Sequence, residues 1–138
     1  MSDNRIITAE LGSTGFKTVI TNGKHSIIAD EPESIGGTDL GMTPYELLSS
    51  SLAACTVITV RMYATLKKWE LEGMKINVTH RKELTEDGKT KVDVFSKEIE
   101  FIGDLDEKQH ERMLIIASKC PVHKTLIASS KIETVHVH

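Results

Sequence analysis

Residues 43–67 read TPYELLSSSLAACTVITVRMYATLK, and the architecture depends on what this stretch can form. Thr43 is a good N-cap, Pro44 suits a first helical turn, and Glu46 stands where a capping-box carboxylate reaches back. Residues 45–67 contain no glycine or proline, so the spacing predicts a helix of roughly 35 Å. Leu48, Leu52, Cys55, Met62 and Leu66 follow one stripe, and Leu47, Ala54 and Ile58 are apolar on another. A helix apolar on more than one face is expected to be buried. Cys55 then lies midway along a buried helix, either as a core residue or as a sheltered reactive thiol.

Outward from the helix, the preceding chain reads as an antiparallel meander. Residues 5–11 and 16–21 alternate as strands around a GSTG turn, Asn22 and Gly23 are a hairpin signal, and residues 26–29 supply a third strand. Residues 30–42 form an acidic, Gly-rich loop. Its Gly36 and Gly37 lack the spacing and the following Lys-Ser/Thr of a phosphate cradle. Beyond the helix, residues 69–74 read as a connection. Residues 75–84 and 91–102 read as two strands about a Glu86-Asp87-Gly88 turn, with one face of the sheet wet. Residues 105–118 form an amphipathic helix, 122–129 a short helix with Cys120 near its N-cap and Pro121 in its first turn, and 132–138 a closing strand. The order β-β-β-α-β-β-α-α-β is an α+β fold in one domain, residues 1–138.

Composition narrows the function classes. The 138 residues carry a formal charge of −3, with one Trp, two Tyr, three Phe and no basic run, which argues against nucleic acid as a partner. Ser49 to Ser51 and Arg61 interrupt the best candidate for a membrane span. The first ten residues lack the layout of a signal peptide, so the expected location is the cytoplasm. Six histidines raise the question of a metal, but His136 and His138 on one strand face, with His80 on another, give no convincing third ligand. Ser49 to Ser51 lack the surroundings of a nucleophile elbow.

Two cysteines remain. Cys120 has the better electrostatic case for a reactive thiol, because a helix start and the neighbours Lys119, His123 and Lys124 favour a thiolate. The alternative is a small apolar capping residue. Cys55, mid-helix, needs a cation from elsewhere in the fold. Glu46 lies about 180° around the helix from Cys55, and Tyr45 about 80°, so Glu46 does not share the thiol's face.

The segments GGTDLGMTPYELLSSSLAACTVITVRMYA (36–64) and KCPVHKTL (119–126) together resemble the OsmC/Ohr family of osmotically inducible and organic hydroperoxide resistance proteins. The resemblance implies an OsmC-like α+β fold, with antiparallel sheets wrapped around long central helices in an intertwined homodimer. It implies active sites at the dimer interface. Cys55 would be the peroxidatic thiol and Cys120 the resolving thiol, with a disulfide between them that an external dithiol reduces. No metal, haem or flavin cofactor is then needed. The family's arginine falls on Lys17, which lacks the guanidinium fork. The position after the helix-opening proline, commonly glutamate in the family, is Tyr45, and Glu46 comes next. The implied activity is a thiol-dependent peroxidase reducing organic hydroperoxides in stress defence. The alternatives are a dimeric protein that binds a hydrophobic ligand or senses redox stress, and a cysteine hydrolase or acyl-transfer enzyme.

Overall fold

The computed structural model describes residues 5–137. Its described residues divide into two compact units, 5–48 and 49–137, and the long helix begins in the first and continues in the second.

In the first unit, strands β1 (Thr8–Leu11), β2 (Thr18–Thr21) and β3 (Ser26–Ala29) form an antiparallel sheet in that order. The first two are shorter than the alternation predicts. The hairpin at Asn22 and Gly23 is present with a different turn. Asn22 Oδ1 accepts from the amides of Lys24 and His25 at 2.9 and 2.8 Å, and only Gly23 of the pair takes a positive φ. The acidic loop is organised around Asp30. Its carboxylate accepts from the amides of Glu31, Thr38 and Leu40 and, at 2.6 Å, from the Thr38 hydroxyl. A Cβ at Gly37 would stand 1.9 Å from the Glu31 carbonyl oxygen, so this glycine serves close backbone packing.

Helix α1 spans Pro44–Lys67, as the sequence predicts. Its capping box is formed. The Glu46 amide donates to Thr43 Oγ1 at 3.2 Å, and Glu46 Oε1 accepts from the Thr43 amide at 2.9 Å. The helix stops at Lys68, which takes φ 60°, while Lys68 N donates to Thr65 O and Trp69 N to Ala64 O. That pattern is a Schellman ending, and Trp69 packs edge-on against Tyr63 beside it.

In the second unit, β4 (Leu71–Leu84) and β5 (Lys91–Gly103) form one long antiparallel ribbon. Residues 71–74, expected in a connection, already belong to β4, with an irregularity between Leu71 and Gly73. One face of the ribbon is wet, as alternation predicts. From the other, Met74, Ile99 and Phe101 pack on a core of Val60, Ala64, Leu71, Met113, Ile116 and Ala117. Helix α2 (Glu107–Ala117) starts two residues later than predicted, because Asp106 and Gln109 make its capping box. Helix α3 (Pro121–Ile127) comes next, with Cys120 as N-cap.

Three expectations are corrected. Helix α1 is not apolar-buried all round. It buries Leu52, Thr56, Val60 and Ala64, a strict four-residue stripe, whereas Ile58, Met62 and Leu66 are 52, 67 and 77 % exposed. Despite its interruptions, α1 is apolar enough over its length to cross a bilayer. Its inner stripe instead forms core, and Arg61 donates to Leu71 O. Finally, residues 132–137 form no strand. Their apolar side chains are more than three-quarters exposed, and a strand needs a partner for its backbone groups. His138 lies outside the described residues.

Asp30 yields a pH test. The Thr38 hydroxyl and three amides hold its carboxyl at about 2, below the ordinary 3.8. Its contribution to stability is therefore complete above pH 3.8 and lost as the pH falls towards 2. Asp30→Asn should lower the melting temperature at pH 7. The gap to wild type, tracked by thermal melts across pH, should close over that acid range.

Candidate functional site

The two thiols meet at the start of α3. Cys120 caps it, its Sγ accepting from the His123 amide at 3.2 Å, and Cys55 Sγ accepts from the Val122 amide at 3.5 Å. Neighbouring amides of one helix end thus hold one sulfur from α1 and one from the cap. Cys55 also favours the Cys120 thiolate. Their exposure differs. Cys120 is completely buried, whereas Cys55 is partly open. Both are free thiols.

The polar groups around them form a compact cluster. Thr56, one residue after Cys55 and fully buried, donates its hydroxyl proton to Leu52 O at 2.7 Å and lies 3.7 Å from Cys120 Sγ. Lys97 reaches in from β5. Its Nζ lies 2.8 Å from Ala117 O, 3.0 Å from His123 Nδ1 and 3.2 Å from Thr56 Oγ1. Burial pushes the Lys97 ammonium down, against the opposing pull of the two cysteines. Burial also lowers His123, and the Lys97 charge adds to this, so His123 is neutral at pH 7. For Cys120, burial works against the thiolate. It is overcome by the His123 amide, the Thr56 hydroxyl, Cys55 and the Lys97 charge, and the thiol is lowered overall.

Of the residues singled out from sequence, the structure therefore brings Cys55 and Cys120 together. Lys17 lies exposed in the first unit, immediately before β2, and Glu46 makes the cap of α1. Sequence reasoning missed Lys97 and Thr56. The signal for Lys97 was available. It stands two and four residues before Ile99 and Phe101, on the strand face that those residues turn to the core, where an aliphatic side chain fits the pattern. Among the described residues no three His, Cys, Asp or Glu side chains form a metal-binding group.

The family model described as OsmC-like protein matches residues 37–135. The chain belongs to the OsmC family. No curated protein matches it. Among solved structures, an OsmC-like protein from Mycoplasma pneumoniae is 25 % identical with a TM-score of 0.76, over 92 % of this chain and 89 % of that one. The organic hydroperoxide resistance protein OhrB of Bacillus subtilis is 20 % identical with a TM-score of 0.62, over 87 % of each chain. An organic hydroperoxide resistance protein OsmC from Legionella pneumophila is 22 % identical with a TM-score of 0.64, over 87 % of this chain and 86 % of that one. These likenesses establish an OsmC/Ohr fold for the chain. The cysteine pair of this OsmC-family chain lies in both the matched region and the second unit.

Thr56→Val keeps the shape of this buried side chain and removes the oxygen that Lys97 contacts. Urea unfolding should show a loss of about 1 kcal/mol, the net worth of a hydrogen bond to a part-buried donor.

Proposed function

We propose that this OsmC-family chain is a cysteine-based peroxidase that reduces organic hydroperoxides. One observation carries the reading: two free thiols share adjacent amides of one helix end, one partly open and one fully buried. The open thiol is the one a peroxide reaches first, so Cys55 is the attacking group. The buried thiol meets only what forms on Cys55, so Cys120 is the resolving group. The hydroperoxide resistance proteins among the structural relatives support the substrate class.

The chemistry balances with the pair starting as one thiol and one thiolate. Cys55 passes its proton to Cys120 and attacks a peroxide oxygen as the thiolate. The O–O bond breaks, Cys55 becomes a sulfenic acid, and the departing alkoxide takes a proton from Cys120 to leave as the alcohol. Cys120, again a thiolate, attacks the Cys55 sulfur. The S–O bond breaks, hydroxide leaves as water with a proton from solvent, and the disulfide forms. An external dithiol then reduces it by exchange. Sulfur carries every redox step.

In this reading the chain acts in the cytoplasm as one domain completed in a homodimer, with no membrane and no nucleic acid as partner. The uncovered Ile58, Met62 and Leu66 of α1 are the apolar surface that a second copy would cover. Lys17, and Glu46 or Tyr45, are the helpers that the family pattern would bring to Cys55.

The test is consumption of tert-butyl or cumene hydroperoxide with a dithiol reductant. Cys55→Ser should abolish turnover. Cys120→Ser should give one sulfenic acid per chain, trapped by dimedone, and then stop. Turnover that survives in Cys55→Ser would refute the assignment.

A further inference from the structure

Lys97 is a charged side chain on the core-facing side of β5, and its position has a chemical consequence. An ammonium has three N–H donors, and three acceptors surround this one: Ala117 O, His123 Nδ1 and Thr56 Oγ1. The first lies in the last turn of α2, where unpaired carbonyls and the helix dipole favour a cation. The second is the ring of α3, which accepts on Nδ1 and so carries its own proton on Nε2. The third is the hydroxyl that stands between Lys97 and the buried sulfur.

Thr56 has a single proton to place. While that proton is on Leu52 O, the 3.7 Å contact with Cys120 requires the thiol to be the donor. When Cys120 loses its proton, the hydroxyl can turn from Leu52 O to the sulfur, and the Lys97 N–H behind it strengthens that bond. The titratable groups facing Cys120 are Cys55 from α1, Lys97 from β5 and His123 from α3. His123 is neutral, so Lys97 is the positive charge among them.

We propose that Lys97 is the positioning residue for the second half of the reaction: acting through Thr56, it holds the buried Cys120 as a thiolate once the sulfenic acid has formed on Cys55, ready to close the disulfide. This rests on the peroxidase reading and adds to it the group that governs resolution. In that step Cys120 sulfur attacks Cys55 sulfur, the Cys55 S–O bond breaks, and hydroxide leaves with a solvent proton as water. Lys97 supplies charge and is unchanged.

The decisive experiment needs no peroxide. In a Cys55→Ser background, Cys120 is the sole cysteine, and thiolate absorbance at 240 nm reports its titration without requiring access to the buried sulfur. Adding Lys97→Gln should raise the midpoint by about one pH unit, and Lys97→Arg should restore most of the shift. Thr56→Val retains the charge and removes the intervening hydroxyl, so it should move the midpoint the same way. It also decides the matter if Lys97→Gln does not fold. With Cys55 intact and its sulfenic acid already formed, Lys97→Gln should close the disulfide about tenfold more slowly at a pH below the midpoint. An unmoved midpoint in a folded Lys97→Gln protein, or in Thr56→Val, overturns the proposal. If the midpoint moves but no variant or wild type consumes peroxide, Lys97 stands as the thiolate-holding cation and the peroxidase reading falls.

Discussion

An ammonium partly withdrawn from water is best held with an acceptor for each of its N–H bonds, and this requirement ties together the three helices of the second unit. Lys97 meets it with one group from each of three helices: Thr56 of α1, Ala117 of α2 and His123 of α3. The same three contacts gather the elements that carry the cysteines. A hydrocarbon at position 97 would suit the core below it, where Ile99 and Phe101 continue the face. The chain instead keeps a charge there, and the sulfur at the cap of α3 is the feature that charge serves.

Helix α1 makes this possible through its choice of small and slender buried residues. Leu52, Thr56, Val60 and Ala64 recur every four positions in one narrow buried stripe, of which Val60 and Ala64 share a core with Leu71 of the ribbon and with Met113, Ile116 and Ala117 of α2. Thr56 is the polar member, and its hydroxyl is satisfied within the helix by Leu52 O before it does anything else. Cys55, one position away, is turned from the centre of that stripe and is partly open. A 100° step along one helix thus separates a buried relay from a thiol that a substrate can meet. The unequal exposure of the two sulfurs results from this geometry and from the cap position of Cys120.

Among the apolar side chains that the chain leaves open, two groups bear directly on the pattern read from the sequence. On α1 they are Ile58, Met62 and Leu66; beyond α3 they are Ile132, Val135 and Val137. Alternation in the second group has the period of a strand, yet no strand forms within one chain, because residues 132–137 find no ladder to join. Periodicity reports which face of an element wants burial. It does not say whether the covering surface belongs to the same chain.

What the sequence determined by itself was local. Thr43, Pro44 and Glu46 start α1, the Asn22 and Gly23 turn joins two strands, and Cys120 with Pro121 opens α3, because caps and turns are set by hydrogen bonds between residues three or four apart. The resemblance of residues 36–64 and 119–126 to one family also pointed to the two thiols. Only the tertiary structure decided what surrounds them. Thr56 and Lys97 lie forty-one residues apart in sequence, and Lys97 and His123 twenty-six. Contacts at such separations depend on the register of β4 against β5 and on how α2 and α3 pack over the ribbon, which no short-range pattern encodes. A lysine on the core face was legible as an exception to alternation. That its partners would be a threonine, a helix-end carbonyl and a neutral histidine beside a buried sulfur required the fold.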